Sequence, residues 1–219
     1  MEKTKKIEVI PAILAKNAKE FENKVELVPS AESLQIDIMD GKFVKNKTYF
    51  VEDYSILPLE KRIEYHLMVQ NPYEWIKGLP SGKKSIFQVH LESVTIEELE
   101  DIASLVEKKD SKLCFALNPD TPLSILNKLF DVDYILLMTV HPGKSGQKYI
   151  KGMEKKIAKL RELKKDIDIE IDGGANEQTS LGAIKAGANK IAMASAIFQS
   201  DEPDKRYIYF KNLFNQFKY

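Results

Sequence analysis

The segment Leu34-Gln35-Ile36-Asp37-Ile38-Met39-Asp40-Gly41-Lys42-Phe43-Val44 decides how the chain folds. Alternation along a strand sends Leu34, Ile36 and Ile38 to one face and Gln35, Asp37 and Met39 to the other. The first face is aliphatic and suited to packing on helices. The second carries an amide, a carboxylate and a thioether. The run then breaks at Asp40-Gly41, a turn signal. A carboxylate held inside a strand is costly without a partner, so a cation, a metal or a substrate is expected opposite Asp37.

Working outward, the same kind of unit recurs. Short apolar strands are expected over 7–14 (interrupted by Pro11), 34–39, 62–68, 84–90, 112–117, 134–140, 167–171 and 190–193. Helical patterns lie between them. The first, over 16–28, puts Phe21, Val25 and Val28 on one side. Another opens at Asn71-Pro72, with proline at the first helical position. A third, over 95–108, has Thr95 as cap and Glu98 three residues on, a capping box. Further helical stretches cover 123–130, 150–165, 176–186 (with Gly187 at its end), 195–198 and 205–217. Near-continuous apolar strands are what parallel strands covered on both faces require. Eight such units in 219 residues point to an α/β fold, a TIM (β/α)8 barrel as a single domain over 1–219. An open doubly wound sheet is the alternative. No glycine fingerprint follows the first strand, which argues against a dinucleotide-binding version.

Composition narrows the function classes. Lys+Arg and Asp+Glu both number 33, so net charge is zero and gives no case for nucleic acid. The single cysteine, Cys114, excludes an intrachain disulfide and reads as a buried, inert thiol. The charged stretch Met1 to Lys6 leads to a short apolar run broken by Pro11, which is not a signal-peptide pattern. No apolar run nears the roughly 20 residues needed to cross a bilayer. A soluble, cytoplasmic protein with no membrane partner is expected.

Polar residues gather in and just after the strands: Asp37, Asp40, His66, His90, Asn118, His141 and Asp172. A barrel brings these strand ends to one mouth. Singly, each has a bland use, since an Asp at a strand end caps a helix more often than it catalyses. Together, Asp37, His66 and Asp172 are ligands that suit a divalent transition metal. His90, near Glu92, reads as a hydrogen-bonded structural histidine, and the lysine-rich stretch 151–165 as a solvated face.

Several separated blocks carry a resemblance. They are Met39-Asp40-Gly41 with Phe43-Val44 and Asn46, His66-Leu67-Met68-Val69, Asn118-Pro119 with Thr121-Pro122, Leu137-Met138 with Pro142-Gly143, Gly146-Gln147, Asp172-Gly173-Gly174, and Ala194-Ser195-Ala196-Ile197-Phe198. In this order, from about residue 7 to 200, they resemble the ribulose-phosphate 3-epimerase family. The resemblance implies a TIM-barrel isomerase that inverts the carbon beside the ketone of a phosphorylated ketose, ribulose 5-phosphate to xylulose 5-phosphate, within the pentose phosphate pathway. It implies Asp37 and Asp172 as the acid–base pair. It implies a divalent metal (Zn, Fe, Mn or Co) on Asp37, His66 and Asp172. His66, Gly143, Gly146, Gly173, Gly174, Ala194 and Ser195 would contact substrate or phosphate. Met39, Met68 and Met138 would line the reaction centre, and the chain would form a homo-oligomer.

The departures from the pattern matter as much. The family's first metal histidine falls on Gln35, a neutral and weaker ligand, so a weak or vacant metal site is expected. The serine of its Pro-Ser-Ile-Leu stretch is Ala12. Its Asn-Pro-Gly-Phe-Gly-Gly-Gln loop reads His141-Pro142-Gly143-Lys144-Ser145-Gly146-Gln147, with His141 a candidate substitute nitrogen and Lys144 a candidate phosphate cation. The glycine before the strand-eight serine is Ala194. An epimerase for another ketose phosphate, or a non-catalytic sugar-phosphate binder, are the alternatives.

Overall fold

Residues 6–49, 57–81, 85–144 and 146–217 are described by the structure, a computed structural model. Eight parallel strands close in sequence order: β1 (Glu8–Ile13), β2 (Ser33–Met39), β3 (Arg62–Met68), β4 (Ser85–His90), β5 (Lys112–Leu117), β6 (Tyr134–Met138), β7 (Asp168–Asp172) and β8 (Lys190–Met193). Pairing of β8 back to β1 completes the barrel and excludes the open sheet. Among the described residues seven α-helices accompany them: α1 (Ala18–Glu26), α2 (Pro72–Gly78), α3 (Ile96–Lys108), α4 (Met153–Leu163), α5 (Glu177–Lys185), α6 (Ser195–Phe198) and α7 (Pro203–Phe214).

Helix starts follow local chemistry. Thr95 accepts from Glu98 N and Glu98 caps Thr95 N in return, completing the expected box. Asn17 and Asn176 cap α1 and α5 in the same way, accepting from Glu20 N and Thr179 N. Pro72 opens α2 as expected.

The main core lies between strands and helices. Leu34, Ile36, Ile38, Ile63, Tyr65 and Leu67 are all buried there, and each fully buried aliphatic side chain contributes about 1.5–3 kcal/mol. The barrel interior is divided. Its β5–β6 side is mostly apolar, with Cys114, Ala116, Tyr134, Leu136 and Met138 packed together with Ile86 of β4. The β2, β3, β7 and β8 side is polar from floor to mouth. On the floor, Lys190 Nζ lies 3.2 Å from Glu64 Oε1 and 3.3 Å from Glu8 Oε2. Gln88 Nε2 donates to Glu64 Oε2 (3.0 Å) and Glu170 Oε2 (3.3 Å), and Tyr134 OH donates to Glu64 Oε2 (2.6 Å). Burial, reinforced by Glu64, pushes the Glu170 carboxyl well above its ordinary value.

Several expectations are corrected. β1 runs unbroken through Pro11, which sits opposite Met193 of β8, while pairing to β2 covers Ala12 and Ile13; a proline forfeits one ladder donor without ending a strand. The stretch expected to be helical over 123–130 is a 3-10 turn, Leu123–Lys128, held by bonds such as Ile125 N to Pro122 O and ended by an extended Leu129. β6 stops at Met138, because Thr139 turns to donate its N–H to the Asp172 carbonyl (2.7 Å). α4 begins at Met153, after Gly152 at φ 90°. α7 runs from Pro203 to Phe214, earlier at both ends than expected. The lysine-rich helix is not simply solvated. Lys156 is partly buried and its Nζ donates to the carbonyls of Asn118 (2.9 Å), Pro119 (3.0 Å) and Thr121 (2.6 Å), fastening the loop after β5. Lys84, Ser145 and residues 1–5 lie outside the described residues. Cys114 is fully buried and burial raises its thiol well above the ordinary range, as an inert cysteine requires.

Candidate active site

Register brings the polar residues of three strands together. Asp37 of β2 lies opposite His66 of β3, and Gln35 lies between Ala12 of β1 and Glu64 of β3. Asp172, the last residue of β7, sits between Met138 and Ala192. Two of the departures from the family pattern, Ala12 and Gln35, are therefore strand neighbours.

The four polar side chains form one knot. His66 Nδ1 is 3.2 Å from Asp37 Oδ1 and 3.3 Å from Asp172 Oδ2. Gln35 Nε2 donates to both of those oxygens at 2.8 Å. Gln35 and His66 are fully buried, whereas the side chains of Asp37 and Asp172 keep 9% and 14% exposure, so the carboxylates alone reach the space above. Burial pulls His66 down, yet hydrogen bonds to Asp172 and Asp37 lift it to about 9. Burial pushes Asp37 up, partly opposed by its bond to His66. The partner expected opposite Asp37 is thus an imidazolium together with an amide.

A pocket opens over the carboxylates. Met39, Met68 and Met138 line it with Asp37 and Asp172, and so do Gly143, Gly146, Gly173, Gly174, Ala194 and Ser195. His66 is not on this wall; it reaches the site from beneath, through its contacts with the two carboxylates. Lys144 does line the pocket. His141 does not: it is exposed, with Nδ1 3.7 Å from Asp120 Oδ2, so it supplies no substitute nitrogen. Leu14, Val140 and Gln147 also line the pocket, and nothing in their residue types distinguished them from ordinary packing residues.

The loops around the pocket are tied together. Asn46 Nδ2 donates to the Gly143 carbonyl at 2.5 Å, joining the loop after β2 to that after β6. Thr139 Oγ1 donates to the carbonyls of Asp172 and Gly173. Gly173 (φ 114°) lies where a Cβ would meet Val140 at 2.3 Å, and Gly174 (φ 64°) where it would meet Tyr149 N at 2.3 Å. Both positions require glycine by dihedral angle and by space.

One ligand atom each from Asp37, His66 and Asp172 lies within 4.8 Å of the other two, the spacing a metal ion needs. Two carboxylates and an imidazole suit a divalent ion, and three protein ligands suffice for a catalytic one. Gln35 Oε1 is buried without a hydrogen-bond partner. A half-turn of the amide would bring that oxygen toward the carboxylates, an arrangement only a cation makes favourable. The residues therefore fit a divalent metal, with Gln35 competing for its place when none is bound.

His90 lies behind His66, Nε2 to Nε2 at 2.9 Å, and its Nδ1 is 3.2 Å from Glu92 Oε2. It is hydrogen-bonded and fully buried, as the sequence led us to expect. No helix among the described residues is long and apolar enough to cross a membrane.

Comparison with known proteins bears on the same residues. A family model described as the ribulose-phosphate 3 epimerase family matches residues 8–198. The ribulose-phosphate 3-epimerase of Bacillus subtilis (strain 168) is 35% identical over 210 residues, spanning 89% of this chain and 94% of its own length. The chloroplastic ribulose-5-phosphate-3-epimerase of Arabidopsis thaliana is 33% identical over 199 residues, spanning 87% and 71%. Among solved structures, 3-hexulose-6-phosphate synthase from Salmonella typhimurium superposes with a TM-score of 0.69 at 12% identity, covering 96% of this chain and 99% of that one, a likeness of fold alone. With the family model spanning every strand of the barrel and a relative at 35% identity spanning nearly all of both chains, this chain belongs to the ribulose-phosphate 3-epimerase family, a family of isomerase-class carbohydrate epimerases.

Proposed function

We propose that the chain inverts C3 of a ketose phosphate, converting ribulose 5-phosphate to xylulose 5-phosphate. The observation that carries this reading is the convergence of Asp37 and Asp172, from β2 and β7, at the base of one pocket. Inversion beside a carbonyl needs one group to remove the C3 proton and another to return a proton to the opposite face. Two carboxylates on different strands, both reaching into the pocket from a buried base, meet that need. Burial raises Asp37, which favours a carboxyl that can hold a proton.

The remaining walls suit such a substrate. Met39, Met68 and Met138 give a soft, water-poor lining for a planar enediolate. The backbone around Gly174 and Ala194-Ser195 follows strands seven and eight, where barrels commonly hold phosphate, and Lys144 adds a cation at the rim. A divalent metal held by Asp37, His66 and Asp172 would supply positive charge for the developing oxyanion. Gln35 bridges the same carboxylates, and this favours a second reading, a sugar-phosphate binder with little metal chemistry.

The deciding experiment incubates the protein and ribulose 5-phosphate in D2O with added Zn2+, Fe2+, Mn2+ or Co2+. Deuterium entering C3 together with xylulose 5-phosphate formation supports the epimerase. Exchange and conversion of a six-carbon ketose phosphate alone would move the substrate. Binding without exchange under every metal would leave the binder.

A further inference from the structure

Behind the catalytic knot runs a chain of hydrogen bonds that the proposed reaction does not use. Glu92, in the 3-10 turn Leu91–Ser93 that follows β4, places Oε2 3.2 Å from His90 Nδ1. His90 Nε2 faces His66 Nε2 at 2.9 Å. The two ring centroids are 5.1 Å apart, close to the nitrogen separation plus the two ring radii, so the nitrogens meet edge to edge along the ring planes. His66 then turns its other nitrogen, Nδ1, to Asp37 and Asp172.

The donors and acceptors in this chain run one way. The Glu92 carboxylate can only accept, and its Oε1 already takes the Asn118 N–H at 2.8 Å and the Thr121 hydroxyl. His90 Nδ1 must therefore carry a hydrogen. Between two buried Nε2 atoms at 2.9 Å there is room for one hydrogen only. Two lone pairs would repel and two N–H groups would collide. His66 Nδ1 faces two carboxylates and His90 Nδ1 only one, so a second ring proton belongs on His66; His90, with hydrogen on Nδ1 alone, has a lone pair on Nε2, and the hydrogen between the rings belongs to His66 Nε2. The one nitrogen of His66 left to change its proton or bind an ion is Nδ1. Phe43 packs on His90, ring centroids 5.0 Å apart, and the Ser93 hydroxyl donates to the His90 carbonyl, so the middle of the chain is held in place.

We propose that Glu92, acting through His90, fixes a hydrogen on His66 Nε2 and so leaves Nδ1 as the nitrogen that serves the site between Asp37 and Asp172. Glu92 and His90 are positioning residues, and neither lies on the pocket wall. The assignment deepens the metal-assisted reading above and rests on it for its purpose, although the tautomers themselves can be read without turnover.

Histidine numbers only three in this chain, so its ring nitrogens are few enough to assign individually. The test is long-range 1H–15N correlation on 15N-labelled protein, metal-free and with Zn2+, combined with Zn2+ titration. The native protein is expected to show hydrogen on His90 Nδ1 with Nε2 bare, and hydrogen on His66 Nε2 in both states. Glu92→Gln keeps an acceptor oxygen and should keep both tautomers. Glu92→Ala should lose the His90 signature and weaken Zn2+ about 10–100-fold, the usual effect of removing a partner behind a metal ligand. A merely structural Glu92 would lower the melting temperature of the Ala variant and leave the tautomers and Zn2+ affinity unchanged, which overturns the proposal. Hydrogen on His90 Nε2 in the native protein overturns it even if the Ala variant does not fold. Native tautomers as expected in a protein that never exchanges the C3 proton would sink the epimerase reading and leave this assignment standing.

Discussion

Two buried polar clusters share the interior of this barrel, one at the floor and one at the mouth, and they differ in how their charge is balanced. On the floor, Lys190 lies against Glu8 and Glu64, Arg62 reaches both of those glutamates, and Gln88 and Tyr134 donate to Glu64 Oε2. At the mouth, Asp37 and Asp172 meet no lysine or arginine among the described residues of their knot; their partners there are the Gln35 amide and His66. A self-contained cluster is a structural plug. A cluster short of positive charge and open to a pocket is a place for a cation and a reacting ligand. Burial of polar groups alone does not separate the two; the presence of a lysine and an arginine does.

The contrast can be broken at the mouth first. Asp172→Asn should reduce C3-proton exchange by about 10²–10⁴-fold, the usual worth of an acid–base group, with a melting temperature equal to or above native, because it removes one of two crowded carboxylates. A variant that melts well below native would show the mouth to be a plug as well. At the floor, Lys190→Met should lower stability by about 3–5 kcal/mol, since buried Glu64 and Glu170 lose their cation. Chemical denaturation measures this, and the folded fraction should keep its exchange rate per molecule. A large fall in rate without loss of stability would tie the floor to catalysis.

Gln35→His should sharpen the contrast by turning an amide that stands in for a cation into a ligand for one. Zn2+ affinity is expected to rise on the order of tenfold, given the preference of such ions for imidazole, and calorimetric titration reads it. Unchanged affinity with a native site already full at trace metal would show that Gln35 serves as a ligand as it stands.

The smallest expected effect is in the pH dependence, where the two ends should slope oppositely. Burial raises Glu92, but its bonds to His90, Thr121 and Asn118 N win and hold it at about 2. The stability it contributes is therefore present above about 4.5 and is lost as pH falls through about 2; allowing for its partial exposure this is about 1–2 kcal/mol. Glu170 is shifted upward from 4.5, so its contribution is present below that value and is lost as pH rises toward the shifted one. Melting curves across pH should show Glu92→Gln flattening the acid limb and Glu170→Gln flattening the decline on the side above 4.5. The same limb flattened by both would contradict the contrast.

The alternation of β2 was enough to place Asp37 inside and Ile36 outside, and eight such runs made the barrel legible before any contact was known. Asp37, His66 and Asp172 were legible for the same reason, because strand ends in a barrel must converge. What the amide of Gln35 does was not legible. Its two 2.8 Å bonds run to its own strand and to β7, 137 residues away, and no local pattern encodes that geometry. Lys190 and Glu170 read as ordinary strand residues, since their mutual compensation depends on register across β7 and β8. Lys156 looked like part of a solvated face because helical periodicity says nothing of three carbonyls waiting beneath it.

The crossing of the β6 and β7 loops has a consequence for anyone who would re-engineer this scaffold. Barrels of this kind are prized for loops that can be exchanged one at a time above a constant frame. Here Thr139 is bonded to the carbonyls of Asp172 and Gly173, and the backbone of Tyr149 rests where a side chain on Gly174 would have to go. The two loops are one graft unit. Transplanting residues 139–149 into another barrel without 172–174, or the reverse, would bring a methyl group into main chain at the seam, whereas moving both together carries the whole rim across intact.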